Sequence, residues 1–406
     1  MGFAPPLRTR RTPRTERGGV AGRSRAVGFT LVEVIVSMAV LLLLMVLLVQ
    51  MFSGVSSAWT SNTARVGAFT AARSAFEAMG RNLSQATLNT YLGYADAAGQ
   101  PVPLVNPSLK LNDLSVRARI PVQYLRASEL HFLTDQTSRI FGGAGVTGLS
   151  TVGQGVFFQS NTGFASKLDD QPEQSLLNAL GYYIEFGADG AFRADVATGR
   201  TVDRYRYRLM EVIQPAEYNA VYHSTDQTDP STGLPVYSYN LDWVSAALKG
   251  YPPSSTTPVS TRHPLAENII ALALLPKLST LQGTGATTPL TTDYSYDSRR
   301  WEKPGQGTAD KRWRNQLPPI ITLTVVAVDE PSALRMSKLY GGADGTQPPL
   351  SDETLRGQIK METLFQDPGK LNDDISTLSK ALASLHLNYR VFQADITMHG
   401  SQWSNE

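Results

Sequence analysis

The sequence predicts an α+β protein in which one long N-terminal helix carries an antiparallel-sheet head. Three observations predict it. From Phe29 to Phe52 only Thr30, Glu33, Ser37 and Gln50 clearly interrupt an apolar run. No proline occurs between Phe29 and Tyr91, so nothing breaks a helix there. Further on, short β-branched or aromatic runs are separated by Gly, Pro, Asn, Asp and Ser clusters, the pattern of strands and turns.

The first 28 residues are a basic leader. Arg8, Arg10, Arg11, Arg14, Arg17, Arg23 and Arg25 face one acid, Glu16. The formal charge of +2 therefore belongs to the leader, and the remainder is acidic. Nucleic-acid binding is not expected of such a chain. An apolar content of 42% and a charged content of 18% are those of a folded protein. With no Cys, a disulfide framework and thiolate metal sites are excluded.

The run from Phe29 to Phe52 comes next. As a helix it is about 36 Å long, enough to cross roughly 30 Å of hydrocarbon. A secretory signal has a shorter apolar region followed by small residues at a cleavage site. Here the candidate cut precedes the run. Arg10-Arg11 lacks the apolar pair that a twin-arginine signal would place close behind it. Basic residues on the N-terminal side place that side in the cytoplasm and the bulk of the chain outside. Glu33 stands out, because a carboxylate costs roughly 2.5–3.5 kcal/mol at mid-membrane and less near the interface. If the chain were cut after Gly28, the new amino group of Phe29 would lie four residues before Glu33 and could pair with it. A plain signal anchor with a carboxylate near the headgroups needs no cut.

Gly28-Phe29-Thr30-Leu31-Val32-Glu33-Val34, behind a basic leader and ahead of a spanning helix, resembles the N-terminal motif of type IV prepilins and type II secretion pseudopilins. The resemblance implies that a prepilin peptidase cuts between Gly28 and Phe29 and methylates the Phe29 amine. It implies that Glu33 serves assembly with other pilins or pseudopilins through the N-terminal helix. The fold it implies is pilin-like. The helix is expected to continue to about Leu88, some 90 Å in all. Its outer half carries a stripe of Val55, Trp59, Asn62, Val66, Phe69, Arg73, Phe76, Gly80 and Leu83 facing a partner surface, with Met79 alongside. Residues 73–86 resemble the equivalent helix of J-class minor pseudopilins.

The head follows in order. Residues 89–121 read as loop, and 128–134 as a strand. The glycine-rich stretch 142–155 contains a GxGxxG at Gly143–Gly148. No helix is expected directly after it, so it reads as a turn, not a dinucleotide loop. Residues 180–186 and 205–212 read as antiparallel partners. The Tyr/Arg alternation of the second is taken as the solvated face of an edge strand. Residues 217–263 look like a long excursion with few core residues. Residues 265–275 begin as helix or loop and end as a buried strand. Residues 280–300 read as loop, and 320–329 form the strongest strand. The order Glu267-Asn268-Ile269, Trp301 and Trp313, then Leu317-Pro318-Pro319 and a long strand again resembles J-class pseudopilins. In the tail, 331–339, 351–364 and 372–385 read as helices and 386–398 as a final strand. That extension and the Asp293–Arg299 stretch resemble the C member of the Verru_Chthon cassette proteins.

The expected division is a leader at 1–28, a membrane-spanning helix at 29–52, its amphipathic continuation at 53–88, an antiparallel-sheet head at 89–330 and a helix-and-strand extension at 331–406. No catalytic constellation is evident, and the five His are scattered. The chain is not expected to be an enzyme or to need a cofactor. Acidic pairs occur at Asp169/Asp170, Asp226/Asp229 and Asp293/Asp297. Asp293 and Asp297 are weak calcium candidates against an ordinary solvated turn, since a calcium site takes about 6–8 oxygen ligands. The functional expectation is a minor pilin or pseudopilin in the inner membrane with its head outside. The alternative is an anchored binding module that recognises a surface, a polysaccharide or an exported protein, using the aromatic-rich loops at 218–251 and 294–313. A tethered hydrolase is the third option.

Overall fold

The computed structural model describes residues 28–95, 122–167, 176–193, 200–221, 241–279, 289–299, 314–350, 361 and 363–403. The leader at 1–27, Asp169/Asp170, Asp226/Asp229, Trp301, Trp313 and most of the expected helix at 351–364 lie outside these. The fold is mixed α and β, with a long apolar N-terminal helix and antiparallel sheets. The chain divides into two units, Met1–Trp59 and Thr60–Glu406. Helix α1, Leu31–Ser84, begins in the first and ends in the second.

In the first unit the helix is exposed throughout. Its best 18-residue window has a mean hydropathy of 3.0. It is the one described helix long and apolar enough to cross a membrane.

The second unit is built on two sheets. The smaller is β11–β10–β8, with β8 at Ile269–Lys277, β10 at Ile320–Val328 and β11 at Tyr389–Thr397. The larger has the order β7–β6–β5–β4–β3–β9. Its strands are β3 Leu133–Gln136, β4 Ser150–Asn161, β5 Leu177–Ala188, β6 Tyr205–Gln214, β7 Arg262–Glu267 and β9 Tyr296–Asp297. A separate hairpin pairs β1, Tyr91–Ala95, with β2, Gln123–Ala127, so part of the expected 89–121 loop is strand.

Side chains alternate across the large sheet, which gives it two different faces. On one, Phe157 and Tyr183 meet Phe141 of α2 (Thr137–Gly143), and Phe157 meets Trp243 of α3 (Asp242–Leu248). On the other, Tyr182 takes a hydrogen bond from Asn82 of α1, and Tyr207 and Phe186 line a small cavity with Ile270 and Val328 of the small sheet. Gln154 also joins the sheets: its Oε1 accepts the Leu274 amide at 2.6 Å and its Nε2 donates to the Phe365 carbonyl. The expected excursion at 217–263 therefore holds core residues in its described part. Trp243, Val244, Ala247 and Val221 are all buried.

Three local expectations change and a fourth is sharpened, each for a physical reason. The 128–134 segment pairs only from Leu133. Before that, the His131 and Phe132 amides are taken by the side chains of Gln159 and Ser298 instead of a neighbouring strand. The 265–275 segment is two strands. Asn268, in the left-handed region at φ 62°, turns the chain from β7 in the large sheet to β8 in the small one. The Tyr/Arg strand β6 is not an edge, since β5 and β7 flank it. Arg206 and Arg208 are 6% and 3% exposed, and their guanidiniums donate to the Tyr205 and Gly187 carbonyls and pair with Glu330 and Glu267. Finally, the GxGxxG closes α2. The Val146 amide bonds the Phe141 carbonyl and the Gly145 amide bonds Gly142, with Gly145 at φ 66°. That is a Schellman ending, where glycine takes the left-handed conformation cheaply.

The tail is integral to the head. Asp329 caps α4, Glu330–Tyr340, through the Ser332 amide. Helix α5, Leu371–Ser384, buries Leu371, Leu378 and Leu382. His386 at φ 54° ends it with bonds from its own amide to Ala383 and from the Leu387 amide to Leu382. β11 then runs along α1: Arg390 lies over the Phe69 ring at 5.3 Å, and the Phe392 ring is 6.0 Å from that of Phe76. A Cβ on Gly80 would meet Ile396 at 3.1 Å, and the His399 amide donates to the Ser84 carbonyl.

The buried face of α1 keeps Met79, Gly80 and Leu83 of the expected stripe, with Phe69 and Phe76 partly buried, and adds Ala72 and Ala75. Ala72, Ala75, Met79 and Leu83 are buried, while the Arg73 side chain is 71% exposed and pairs with Glu77. Alanines let the helix approach two sheets closely, whereas a bulky stripe would hold it off. Val55, Trp59 and Val66 remain exposed.

Candidate functional site

The N-terminal segment Gly28–Glu33 is built by helix-end chemistry. Thr30 immediately precedes α1, and its Oγ1 accepts the Glu33 amide at 3.3 Å. Its carbonyl accepts the Val34 amide at 3.2 Å. Thr30 is thus the N-cap and Glu33 the third helical residue, the positions of a capping box. Glu33 also sits where the positive end of the helix dipole favours a carboxylate. The T-x-x-E spacing was legible in the sequence, yet the role of Thr30 as a cap emerges only from this geometry. Phe29 is 79% exposed, and Gly28 has no neighbour within 4 Å of a Cβ built on it. The hydroxyl of Ser37 donates to the Val34 carbonyl at 2.9 Å, so this polar interruption is satisfied within the helix. Among the described residues no cation lies within ion-pair distance of the Glu33 carboxylate.

The head holds several polar clusters. His131 is buried between Asp297 and Trp243: its Nε2 is 2.7 Å from Asp297 Oδ1, and its Nδ1 accepts from Trp243 Nε1 at 3.1 Å. An accepting Nδ1 leaves the proton of a neutral imidazole on Nε2, where it donates to Asp297. Asp297 also accepts the Arg299 amide. The other calcium candidate, Asp293, accepts from the Ser295 hydroxyl at 2.7 Å and lies 3.8 Å from Arg139. Among the described residues no group of three His, Cys, Asp or Glu side chains is placed to hold a metal ion. The meeting of His131 with Asp297 spans 166 positions, and no local pattern announces it.

Elsewhere the polar groups serve the architecture. Burial alone would raise the Asp189 carboxyl. The Arg204 amide and the guanidiniums of Arg193 and Arg204 overcome this and hold it well below the usual range. Burial first, and then the Glu211 charge, push the Tyr182 phenol far above its ordinary value. That phenol links α1 to β6, accepting from Asn82 and donating to Glu211 at 2.7 Å. No family model, curated protein or solved structure matches this chain.

Proposed function

We propose that the chain is a minor pilin or pseudopilin, a structural subunit that acts by assembly and not by catalysis. In this reading the leader is cut between Gly28 and Phe29 by a prepilin peptidase, and the Phe29 amine is methylated. The helix from Phe29 to Phe52 sits in the inner membrane with the head outside, and other pilin-like helices pack against it in a fibre. The observation that carries the reading is the placing of Glu33. It lies three positions into an apolar helix that is exposed throughout the first unit, four residues behind the proposed new terminus at Phe29. A carboxylate there calls for a cation, and the freed Phe29 amine of the same or a neighbouring subunit supplies one. The capping bond from Thr30 orders the first turn and so holds the Glu33 backbone for that pairing.

The test has two parts. Mass spectrometry of membrane-extracted protein should find an N-methylated Phe29 terminus, and an intact Met1 would overturn the processing step. Glu33→Ala should still insert in the membrane but be lost from sheared or cross-linked fibres. Normal incorporation would overturn the pairing role.

A further inference from the structure

The head grips α1 in two zones of different kind. From Ala72 to Leu83 the grip is buried and mainly apolar: Ala72, Ala75, Met79 and Leu83 are at most 2% exposed, with one polar contact from Asn82 to Tyr182. From Thr60 to Thr70 the described side chains are exposed or half-buried. Here Arg65 pairs with Asp329, Arg390 lies over Phe69, and Phe69 itself is only partly buried against the core.

Asp329 makes the first of these unusual. Its side chain is fully buried, and it is met by the Arg65 Nε at 2.9 Å, the Asn388 Nδ2 at 3.0 Å and the Ser332 amide at 2.9 Å. The last two belong to the small-sheet side of the head and stay with Asp329 whatever α1 does. The guanidinium comes from α1 on a side chain that is 41% exposed, so water can replace it without opening the core. Gly67, two residues on, has nothing within 4 Å of a built Cβ, and the helix is not pressed onto the head there.

We propose that the Arg65–Asp329 pair is a release point built into the head: when it opens, residues 60–71 of α1 leave the head surface while 72–84 stay buried. The pair sets the register of the outer turns of the helix, a use for which buried ion pairs are suited. The opening is local because Asp329 keeps two hydrogen bonds and gains solvent. This device depends only on contacts within the head unit and does not require the chain to be a fibre subunit.

Hydrogen exchange on the full chain in detergent micelles tests it. In Arg65→Gln, amides in 60–71 should exchange at least about tenfold faster, while 72–84 and β10 keep their protection. Added salt should accelerate 60–71 in the parent and leave that segment unchanged in Arg65→Gln, because only the parent has an ion pair to screen. Asp329→Asn retains the cap acceptor and should reproduce the Arg65→Gln pattern. If that variant misfolds, Arg65→Gln still decides, since its side chain is partly in solvent. Unchanged exchange in 60–71 would overturn the proposal. So would equal acceleration of 72–84 and β10, which would make the pair an ordinary part of global stability.

Discussion

Gly181 is the position where the packing of the head can be tested most sharply. It faces Phe157 directly across the β4–β5 ladder. A Cβ at 181 would stand 2.3 Å from Phe157 Cε1 and 2.4 Å from Cδ1. Carbon atoms pack at about 3.5–4.0 Å, so the ring would have to retreat by more than about 1 Å. It has nowhere to go: Phe157 is fully buried, with the rings of Phe141 at 6.0 Å and of Tyr183 and Trp243 at 6.4 Å. Overpacking of this kind costs about 1–3 kcal/mol, with the upper half expected for so close an approach. The entropic advantage of Ala over Gly in a strand returns about 0.5–1 kcal/mol. Gly181→Ala should therefore lose about 1–2 kcal/mol net. The urea midpoint of the full chain, followed by tryptophan fluorescence, measures it. Phe157→Leu in the same background should recover part of the loss, so the double variant should be more stable than the sum of the singles. Parent-like stability of Gly181→Ala, or purely additive effects, would refute the steric argument.

Two further outcomes follow from the same core. Burial raises the phenols of Tyr182, Tyr183, Tyr207, Tyr294 and Tyr296. A phenol whose folded pKa is raised adds stability that is complete below the unfolded value of about 10 and is lost as pH rises above it. In an absorbance titration these five should release no phenolate until the head unfolds, and their smooth titration in the folded head would contradict their burial. Trp243→Phe keeps a ring against Phe157 but removes the donor to His131 Nδ1. It should cost about 1–3 kcal/mol, as for a buried acceptor that loses its partner. No shift in the unfolding midpoint would mean that this bond contributes nothing net.

Much of the fold was legible because it is local. The apolar run and the absence of proline specify a helix without reference to the rest of the chain. The β-branched run of β10 and the 3-4 spacing of Ile375, Leu378, Leu382 and Leu385 work in the same way. Turn chemistry was harder to read, because Gly145 in a GxGxxG and His386 outside any glycine motif both end helices by backbone bonds. The burial of Arg206 and Arg208 was not legible at all. An arginine reads as surface unless carbonyls and carboxylates from distant segments surround it, and here those come from Gly187, Glu267 and Glu330.

What the sequence by itself determined is the mixed α and β class and an apolar N-terminal helix of membrane-spanning length with a carboxylate four residues behind Phe29. The reason is that helix initiation and membrane-length hydropathy are set by neighbours within a few residues. The tertiary structure alone decided how the head holds that helix. β11, more than 300 positions further along the chain, supplies Arg390, Phe392 and Ile396 to it. Asp329 supplies the carboxylate that Arg65 requires. Contacts at such separation depend on the pairing of β11 with β10, and strand pairing leaves no period in the sequence from which its partner can be read.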